Sequence, residues 1–352
     1  MTLPSRASEH PSDRAATIYD VARLAGVSHQ TVSRLLQGYE GIRPQTRERV
    51  QKALAELDYR PNLAARSLAT NRSRRIGALV YELLEVGPSK TIQGASDAAR
   101  HAGYLLDIVT LDPRDDSAVD QALSVLRTQD VAGIVAFAPM DLLSDRIQQA
   151  DFSVPVMLET DVDQAAAAAH TSVSDSGMQQ VVDHLVGLGH RRIFHLSGPL
   201  EWWASRNRAQ AYEAALAGHG LSSVGAVEGS WSSASGYRAG MEIPLDRGVT
   251  AVVAANDQMA LGLLRALAER GVSVPEDMSV TGFDDTPESA YYQPPLSTVR
   301  IDYEQQGRAL MNRLLTTIGE PHEFDGVIED EVADAPLLVP RGSTAPPHPW
   351  LV

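Results

Sequence analysis

Four polar side chains near the N-terminus recur at the spacing of one face of an α-helix. They are His29, Gln30, Ser33 and Arg34, and residues four positions apart are neighbours on a helix surface. In the DNA major groove, an amide pairs bidentately with adenine and a guanidinium pairs with guanine. An ordinary helical hairpin with a solvated polar face has the same local pattern. The four residues alone therefore leave a DNA-binding helix and a solvated helix as alternatives.

Two short amphipathic helices are predicted to hold these side chains. Thr17 can cap the first helix, and Asp20 three residues later completes a variant of the capping box. Gly26 tolerates the positive φ that a tight turn between crossed helices needs, and Ser28 can cap the second helix. The residues of the second helix that face inward are predicted to be Val32, Leu35 and Leu36.

The residues that follow these two helices resemble those of a known family. A third helix is predicted over residues 44–57, and a Tyr-x-Pro-Asn-x-x-Ala-x-x-Leu pattern begins at Tyr59. Together with the sequence YDVARLAGVSHQTVSR, which begins at Tyr19, this pattern resembles the lactose-repressor family of bacterial transcription regulators. The resemblance extends to about Ala345. It implies a DNA-binding helix-turn-helix headpiece joined to an effector-binding body.

The resemblance gives the polar residues of the headpiece roles on DNA. His29, Gln30 and Arg34 are expected to contact base edges in the major groove. Other contacts, to phosphates or base edges, would position the helix without specifying the sequence by themselves. The residues expected to make these other DNA contacts are Tyr19, Ser28, Thr31, Ser33 and Tyr59.

A short segment after the headpiece is expected to act as a hinge helix. Residues 62–69 would form a helix too short to be stable alone, since isolated helices below ~12–15 residues are marginal in water. In the family, this helix forms on operator DNA, where two copies lie in the minor groove and a leucine intercalates. The resemblance places Leu68 as that wedge, with Asn62 and Ala65 against the groove. The alternative is that Leu68 packs beneath the core.

Charge is divided unevenly along the chain. The formal net charge is −15, yet residues 1–75 hold 13 Lys or Arg against 7 Asp or Glu, whereas the remainder holds 17 against 38. The first part therefore carries +6 and the rest carries −21. This asymmetry indicates a basic nucleic-acid-binding module on an acidic body. The acidic body discourages further contact with DNA.

Length and composition bound the class of protein. The chain has 352 residues, of which 43% are hydrophobic, so two or three domains are expected. The absence of cysteine excludes disulfides and thiolate metal sites and is typical of a reducing cytoplasm, where we expect the protein. No apolar run approaches the roughly 20 residues of a membrane helix.

The sequence is expected to divide into five parts. They are a disordered tail without a signal peptide (1–16), the helix-turn-helix domain (17–61), the hinge helix and linker (62–75), a two-lobed effector-binding and dimerisation domain (76–345) and a tail (346–352).

From residue 76 onward, strand-like and helix-like segments alternate. The predicted strands are 76–81, 104–109, 133–138, 154–158, 193–197, 251–255 and 278–283, and the predicted helices are 91–101, 118–128, 179–188, 208–217, 259–270 and 305–315. Apolar strands separated by helices indicate an α/β fold with parallel sheets covered on both faces. These strands are too many for one small domain, which favours two lobes. This architecture matches the periplasmic-binding-protein-like body that the resemblance implies.

Polar and aromatic residues follow the predicted strands. In open α/β sheets a ligand lies beyond the carboxyl ends of the strands, and the residues there are acids, amides and aromatics with few lysines. Acids and amides bind paired hydroxyl groups, an arginine binds two at once, and a tryptophan offers a flat apolar face. This mixture favours a neutral polyhydroxylated ligand. A sugar phosphate would need more cations, or a glycine-rich loop at a helix start.

The resemblance assigns individual residues to an effector pocket. GPLEWWASRNR is similar to the family segment with an effector-binding arginine, which maps to Arg206. EGSWSSASGY is similar to the segment whose tryptophan lines the pocket, which maps to Trp231. The remaining assigned residues are Asn256 and Asp257 in AANDQMALG, Asp284 in GFDDTPES, and either Glu159 or Asp161 after the fourth strand.

Several aromatic residues depart from the family pattern and bear on the ligand. Tyr81 stands where a small hydroxyl residue is expected after the first strand, and the aromatic near the last long helix is the phenol Tyr303. Trp202 and Trp203 are extra aromatics that either stack on a second sugar ring or pack at the lobe interface. These departures leave the identity of the sugar open, with a galactoside suggested by the resemblance.

No signature of catalysis or of a bound cofactor is present. The sequence contains no G-x-S-x-G elbow, Walker loop or Rossmann glycine fingerprint. His184 and His190 lie six residues apart across a helix end, which is not a ligand spacing such as H-x-x-x-H. Asp284 and Asp285 lack the further acid–base residues of a glycosidase. We therefore expect neither a metal, nor a cofactor, nor an enzyme.

These observations predict a sequence-specific DNA-binding repressor that a small carbohydrate, such as a galactoside, releases from its operator. No leucine heptad follows Ala345, which favours a homodimer on a pseudo-palindromic operator. A regulator that binds DNA only together with a purine or similar corepressor is the alternative. A solute-binding protein would share the body but would lack the basic headpiece, so it is disfavoured.

Overall fold

The computed structural model describes residues 16–36, 39, 41–59, 73–159, 173–319 and 335–348. The chain divides into two compact units, one up to Arg72 and the other from Ser73 onward. The described residues of the first unit are called the headpiece below, and the second unit is called the body. Each unit has its own hydrophobic core.

Three helices form the described part of the headpiece: α1 (Ile18–Ala25), α2 (His29–Leu36) and α3 (Pro44–Glu56). The predicted capping box is present, because the Asp20 carboxylate accepts a hydrogen bond from the Thr17 N–H at 3.0 Å. Gly26 ends α1 with a φ of 65°. The Ser28 hydroxyl accepts from the Thr31 N–H at 3.2 Å and so caps α2 as predicted. The buried core of the headpiece consists of Val21, Ala22, Ala25, Val32, Val50 and Ala53.

The first lobe of the body, called the N-lobe, is a parallel sheet flanked by helices. Its strands are β1 (Arg75–Tyr81), β2 (Leu105–Leu111), β3 (Gly133–Phe137) and β4 (Val156–Glu159), in the order β2-β1-β3-β4. All neighbouring strands are parallel. Its helices are α4 (Val86–His101), α5 (Asp116–Thr128), α6 (Asp141–Gln149) and, from much later in the chain, α11 (Tyr303–Ile318).

The second lobe, called the C-lobe, repeats this architecture. Its parallel strands are β5 (Ile193–Ser197), β6 (Ala226–Glu228), β7 (Ala251–Ala254) and β8 (Ser279–Thr281), in the order β6-β5-β7-β8. Its helices are α7 (Val173–Gly187), α8 (Trp203–Gly218), α9 (Ser233–Glu242) and α10 (Asp257–Glu269), with 3₁₀ turns at Leu245–Arg247 and Pro287–Tyr291. Strands β9 (Thr298–Arg300) and β10 (Leu337–Val339) pair antiparallel.

The chain passes between the lobes three times. It leaves the N-lobe between β4 and α7, returns between β9 and α11, and leaves again between α11 and β10. Helix α11 packs tightly on α4, since a Cβ added at Gly94 or at Gly307 would lie 1.9 Å from the backbone of the other helix. The returning helix is therefore an integral part of the N-lobe.

The strand–helix alternation predicts most of these elements, with differences at short or weakly patterned segments. Helix α4 begins at Val86 and not at residue 91, because Pro88 fits a first helical turn, whose N–H groups have no helical acceptor. Strands β6, β9 and β10 are not predicted because three residues are too few to show a period. Helix α9 is not predicted either, because it is rich in Ser and Gly, which have low helix propensity. Within the described residues, no helix is both long and apolar enough to span a membrane.

Candidate functional site

The outer face of α2 carries the side chains predicted to contact base edges. Its exposed residues are His29, Gln30 and Arg34, and its half-buried residues are Thr31 and Ser33. Tyr19 of α1 is 61% exposed, and its ring centroid lies 5.0 Å from that of His29. The Arg34 guanidinium lies 5.8 Å from the ring centroid of Tyr39. An imidazole, an amide and a guanidinium thus share one exposed face, as a recognition helix in a major groove requires.

The other residues predicted to bind DNA have different surroundings. Ser28 is exposed, but its hydroxyl lies 2.9 Å from that of Thr31, in addition to its capping bond. Tyr59 is half-buried against the headpiece core, and its N–H donates to the Leu54 carbonyl at 3.0 Å. The predicted hinge contacts lie outside the described residues; they are Asn62, Ala65 and Leu68.

A cavity of about 130 Å³ lies between the lobes, at the carboxyl ends of several strands. This volume is roughly ten times the ~10–15 Å³ needed by one water molecule, so the space suits a small ligand. Both lobes contribute to the lining. The N-lobe contributes Tyr81, Glu85, Val86, Gly87, Pro88, Thr91, Phe137, Ala138, Pro139, Glu159, Tyr303 and Gln306, and the C-lobe contributes Trp202, Trp203, Ala204, Arg208, Trp231, Asn256 and Asp284.

Arg208 and Asp284 form a buried ion pair in the wall of this cavity. The guanidinium donates to Asp284 Oδ1 at 3.2 Å, and the Tyr303 hydroxyl donates to the same oxygen at 2.6 Å. Burial raises the pKa of the Asp284 carboxyl, and the charge of Arg208 and the hydrogen bond from Tyr303 oppose that rise. The guanidinium also donates to the Ala255 carbonyl at 2.5 Å and lies 4.1 Å from the ring centroid of Phe283. These partners fix its orientation.

Asn256 holds the pocket tryptophan in place. Its Oδ1 accepts from the Met259 N–H at 2.8 Å, which caps α10, and its Nδ2 donates to the Trp231 carbonyl at 2.9 Å. Trp231 has a φ of 65° and Asp284 a φ of 105°, values that residues other than glycine rarely adopt. Such backbone strain is concentrated at ligand sites in many proteins. Here both strained residues line the cavity.

Three aromatic rings, called the aromatic wall, continue the lining: Tyr81, Trp202 and Trp231. The ring centroids of Tyr81 and Trp202 are 5.1 Å apart at 82°, and those of Trp202 and Trp231 are 6.1 Å apart at 64°. Both tryptophans are buried, and neither indole N–H has an acceptor among the described residues. Trp203 differs, because its indole N–H donates to Asp141 at 2.5 Å.

Two glutamates add carboxyl groups to the cavity. Glu159 ends β4, and Glu85 directly precedes α4. Burial raises the pKa of Glu85 to about 7, and the charges of Glu82 and Asp284 act in the same direction. Of the lining residues that the structure describes, Arg208 is the single Lys or Arg. The excess of carboxylates over cations disfavours an anionic ligand.

Arg206, which the resemblance assigned to the effector pocket, does not line the cavity. Its side chain donates to the Asp141 carboxylate at 2.9 Å and is one third exposed. Residues two apart on an α-helix point about 200° apart, so Arg206 and Arg208 face opposite sides of α8. Arg208 therefore takes the position in the cavity that the sequence assigned to Arg206.

Asp257 is also absent from the lining, because its carboxylate binds groups of its own lobe. It accepts from the Thr286 N–H at 2.8 Å and from the hydroxyls of Thr298 and Ser289 at 2.6 and 2.5 Å. Burial raises the pKa of Asp257 to about 7, the charge of Asp284 adds to the rise, and the three hydrogen bonds oppose it. Asp257 thus ties the start of α10 to the segments that follow β8.

The other residues expected in the pocket line the cavity wherever the structure describes them. The expected residues that line it are Tyr81, Glu159, Trp202, Trp231, Asn256 and Asp284. Asp161, the alternative to Glu159, lies outside the described residues. Sequence reasoning did not select Arg208, Glu85 or Phe137 for the pocket. Glu85 lies four residues after Tyr81, and this position just after β1 could have identified it as a pocket residue. Phe137 belongs to an apolar strand, and nothing in its sequence context distinguishes it from a core residue.

Two histidines of the C-lobe contact the segment that follows β10, at Thr344 and Ala345. His184 Nε2 lies 2.9 Å from the Thr344 hydroxyl, and His190 lies between the hydroxyls of Thr250 and Ser279 at 3.0 and 2.9 Å. In the part of the chain that the structure describes, no group of three or more His, Asp or Glu residues could hold a metal ion.

A helix-turn-helix headpiece and a two-lobed body with a ligand-sized cavity define the class of transcription regulators that carry a ligand-binding body. Residues 17–62 match the model of the bacterial regulatory proteins, lacI family, and residues 182–344 match that of the periplasmic binding protein-like domain. The chain belongs to the lacI family and is a DNA-binding transcriptional repressor.

Relatives of known function cover most of the chain. The lactose operon repressor of Escherichia coli is 35% identical over 305 residues, which is 86% of this chain and 84% of that protein. The transcriptional repressor PurR of Haemophilus influenzae is 32% identical, covering 93% and 98% of the two chains. These relatives are transcription regulators and not enzymes.

Solved structures of similar proteins share the fold. The lac repressor dimer bound to operator and the anti-inducer ONPF has a TM-score of 0.78 and 32% identity, covering 94% of this chain and 100% of that one. The complex of the transcriptional regulator CelR with cellobiose has a TM-score of 0.64 and 28% identity, covering 93% and 99%.

Proposed function

We propose that this repressor binds a small neutral carbohydrate between its lobes and that the carbohydrate releases it from operator DNA. The observation that carries the proposal is the Arg208–Asp284 ion pair, which lies in a ligand-sized cavity beside the aromatic wall. The effector residues proposed are those of the cavity, with Arg208 in the role that the sequence gave to Arg206.

The chemistry of the cavity suits the surface of a sugar. The hydroxyl groups of a sugar ring both donate and accept hydrogen bonds, so a guanidinium beside a carboxylate can bind neighbouring hydroxyls. The C–H face of the ring is apolar and packs on an aromatic side chain. The Trp231 ring lies next to the ion pair, since its centroid is 5.7 Å from the Arg208 guanidinium, and it lines the cavity.

The relatives support this class of ligand. The regulator CelR is described in complex with cellobiose, and two similar proteins, from Escherichia coli and Klebsiella pneumoniae, are lactose operon repressors. The second similarity favours a galactoside within the carbohydrates. The carboxylate-rich lining of this chain argues further for a neutral molecule.

The ligand can control DNA binding only by stabilising one arrangement of the lobes more than another. Two ion pairs join the lobes near the cavity: Arg114 of the N-lobe with Glu201 at 2.6 Å, and Asp141 with Arg206 of the C-lobe at 2.9 Å. A sugar that contacts both lobes adds to or competes with such contacts. A coupling of ~1–3 kcal/mol, typical of such linkage, would change operator affinity 5–150-fold.

On the DNA side, we propose a homodimer that binds a pseudo-palindromic operator with α2 in the major groove. His29, Gln30 and Arg34 would contact bases, because they form the exposed face of that helix. The proposed minor-groove contacts of Asn62, Ala65 and Leu68 come from the resemblance, as these residues lie outside the described part of the chain.

A single binding assay tests the proposal. A fluorescent duplex, selected from a random library by the full-length protein, is titrated with galactosides, glucosides, oligosaccharides and purine bases while its anisotropy is followed. Release by a sugar and not by a purine is the expected result. Tighter operator binding in the presence of a purine would instead indicate corepression, and indifference to every sugar would contradict the proposal.

A further inference from the structure

The segment that joins β5 to α8 is held by the N-lobe. The Trp203 N–H donates to the Pro139 carbonyl at 2.9 Å, and the Trp203 indole N–H donates to Asp141 Oδ1 at 2.5 Å. The guanidinium of Arg206, three residues later, donates to Asp141 Oδ2 at 2.9 Å. Both carboxylate oxygens of Asp141, the first residue of α6, therefore bind the C-lobe. The side chains of Asp141, Trp203 and Arg206 are called the latch below.

The hydrogen bond from Trp203 is the stronger part of the latch. An ionised acceptor makes a hydrogen bond roughly twice as strong as a neutral one, and Trp203 is only 7% exposed. The side chains of Asp141 and Arg206 are 69% and 33% exposed, so solvent screens their ion pair. The Glu201 carbonyl also accepts from the Arg206 guanidinium at 2.9 Å. Asp141 thus accepts from two donors whose positions are fixed by the C-lobe.

Other residues of the N-lobe contact the same segment. Tyr81 ends β1, and its ring packs edge-to-face on Trp202 with the centroids 5.1 Å apart. Arg114 follows β2 and donates to the Glu201 carboxylate at 2.6 Å, and its guanidinium lies 5.7 Å from the Trp202 ring centroid. Residues that follow or end β1, β2 and β3 therefore converge on residues 201–206, which form a contact surface between the lobes.

The latch residues do not belong to the connections between the lobes. The chain crosses from lobe to lobe between β4 and α7, between β9 and α11, and between α11 and β10. Asp141 instead begins α6, and Trp203 and Arg206 lie in the first turn of α8. The bonds of the latch can therefore break while the chain still joins the lobes. Where two lobes move about a hinge, contacts made in only one arrangement stabilise that arrangement.

Trp203 belongs both to the latch and to the wall of the cavity. Its neighbours Trp202 and Ala204 also line the cavity, whereas Asp141 and Arg206 do not. A molecule in the cavity therefore lies beside the segment that the latch holds. Any movement of that segment changes the distance between the Trp203 indole and the Asp141 carboxylate, so occupancy of the cavity and the latch bonds affect each other.

We infer that the latch stabilises one arrangement of the lobes independently of the effector, and that it thereby sets the balance between operator binding and effector binding. The inference rests on the proposed function, in which the carbohydrate and the operator favour different arrangements. A change in the latch then shifts the populations of the two arrangements. Operator affinity and effector affinity must change in opposite directions, and their ratio must change by the factor that the latch contributes.

The test uses the full-length protein, its operator duplex, and galactose, lactose and cellobiose as probe sugars. Asp141→Ala removes the acceptor of both latch bonds and leaves the cavity lining intact. Fluorescence anisotropy measures operator affinity without sugar, and calorimetric titration measures sugar affinity without DNA. The two affinities should change in opposite directions, with their ratio altered about tenfold or more, as loss of a charge-assisted hydrogen bond provides.

The matched control is Asp145→Ala, because Asp145 is exposed one turn further along α6 and does not line the cavity. Neither its operator affinity nor its sugar affinity should change more than about twofold. Asp141→Asn keeps an oxygen that accepts from the indole N–H but loses the charge. It should therefore alter the ratio of the two affinities less than Asp141→Ala does.

A double-mutant cycle assigns the effect to the bond between Trp203 and Asp141. Trp203→Phe keeps a ring in the cavity wall and removes the N–H donor. Its effect on the ratio of affinities should be at least about fivefold smaller in the Asp141→Ala background than in the parent protein, because the two substitutions break the same bond. Equal effects in the two backgrounds would show that Trp203 does not act through Asp141, and the latch would be wrong.

A distance measurement tests the latch without sugar or DNA. The chain contains no cysteine, so Ser124→Cys on α5 and Ala217→Cys on α8 place one spin label on each lobe, both at exposed positions. Pulsed electron paramagnetic resonance then gives the distribution of distances between the labels. Asp141→Ala should shift or broaden this distribution, and Asp145→Ala should leave it unchanged.

The outcomes separate the latch from the proposed function. An unchanged distance distribution in Asp141→Ala would overturn the latch. So would operator and sugar affinities that fall together while the sugar still releases the operator, and in both cases the carbohydrate function stands. If the distribution changes but no probe sugar binds or releases the operator, the latch stands and the carbohydrate function is wrong.

Discussion

The guanidinium of Arg208 and the carboxylate of Asp284 meet 3.2 Å apart in the cavity wall, and each side chain is only 8% exposed. A buried ion pair contributes little net stability because desolvation of both charges offsets their attraction. Its other hydrogen bonds, to Ala255 and from Tyr303, hold it in one orientation. An oriented pair of charges in a cavity is suited to binding a ligand, which is the function we propose for it.

We predict that Arg208→Lys lowers effector affinity at least about tenfold, because lysine keeps the charge but lacks the planar fork that binds two oxygens. Calorimetric titration with the releasing sugar measures this loss. The matched control is Arg206→Lys, two residues earlier, whose partly exposed pair with Asp141 is worth ~0–1 kcal/mol. The effector affinity of the Arg206→Lys variant should stay within about threefold of that of the parent protein. A larger loss of effector affinity in Arg206→Lys than in Arg208→Lys would indicate that Arg206 contacts the effector.

The position of the cavity could be predicted because it follows from strand order. Parallel strands bring their carboxyl ends to one edge of a sheet, where ligands bind in open α/β folds. Tyr81 and Glu159 end β1 and β4, and Asn256 and Asp284 follow β7 and β8. Each of these residues lines the cavity, so the apolar pattern of the strands was sufficient to place the cavity, but it did not exclude Asp257, which follows β7 and does not line it.

The choice between the two arginines of α8 needed information that a motif does not contain. A shift of two residues reverses the face of a helix, so a segment match alone does not fix which arginine points inward. The buried residues Ala211, Tyr212 and Ala215 follow Arg208 by three, four and seven positions. That spacing marks the buried stripe of a helix, and it places Arg208 on it.

The aromatic wall could be predicted only in part. The sequence left Trp202 with two interpretations, a sugar contact or packing at the lobe interface. The structure places it in the cavity lining and also against Tyr81 of the other lobe. The contact with Tyr81 is the predicted packing between the lobes, whereas the sugar contact stays a prediction. Contacts between segments this far apart in the chain do not follow from local periodicity.

A second prediction concerns pH, through the carboxyl of Glu85. Burial raises its pKa from 4.5 to about 7, so the folded protein binds this proton more tightly than the unfolded chain. The stabilisation is complete below pH 4.5 and is lost as the pH rises through about 7. Glu85→Gln is neutral at every pH and should therefore gain stability over the parent protein as the pH increases from 5 to 8.

Thermal unfolding of the parent and variant proteins across that pH range measures the difference. Glu242→Gln is the matched control, because Glu242 is exposed on α9 and does not line the cavity. It should unfold like the parent at every pH. If the difference in thermal stability between Glu85→Gln and the parent protein does not change with pH, the Glu85 carboxyl does not titrate in this range, and the prediction is wrong.

A third prediction distinguishes a structural carboxylate from a ligand contact. Asp257→Ala should lower the free energy of unfolding by about 3 kcal/mol or more, because three buried donors lose their acceptor at ~1–3 kcal/mol each. Urea unfolding of the full chain measures the loss. The folded fraction should bind the effector within about threefold of the parent. Normal stability with lost effector binding would make Asp257 a ligand contact after all.

The last prediction tests the exposed face of α2. Arg34→Ala should cost ~1–3 kcal/mol of operator affinity and relax the preference at one base pair, because a guanidinium pairs with one base edge. Affinities for a set of operator duplexes, each with one base pair changed, provide the measurement. Arg49→Ala removes an exposed arginine from α3, and any weakening it causes should be equal on every duplex, as expected of a phosphate contact. If Arg34→Ala also weakened all duplexes equally, Arg34 would be a positioning contact and base selection would fall to His29 and Gln30.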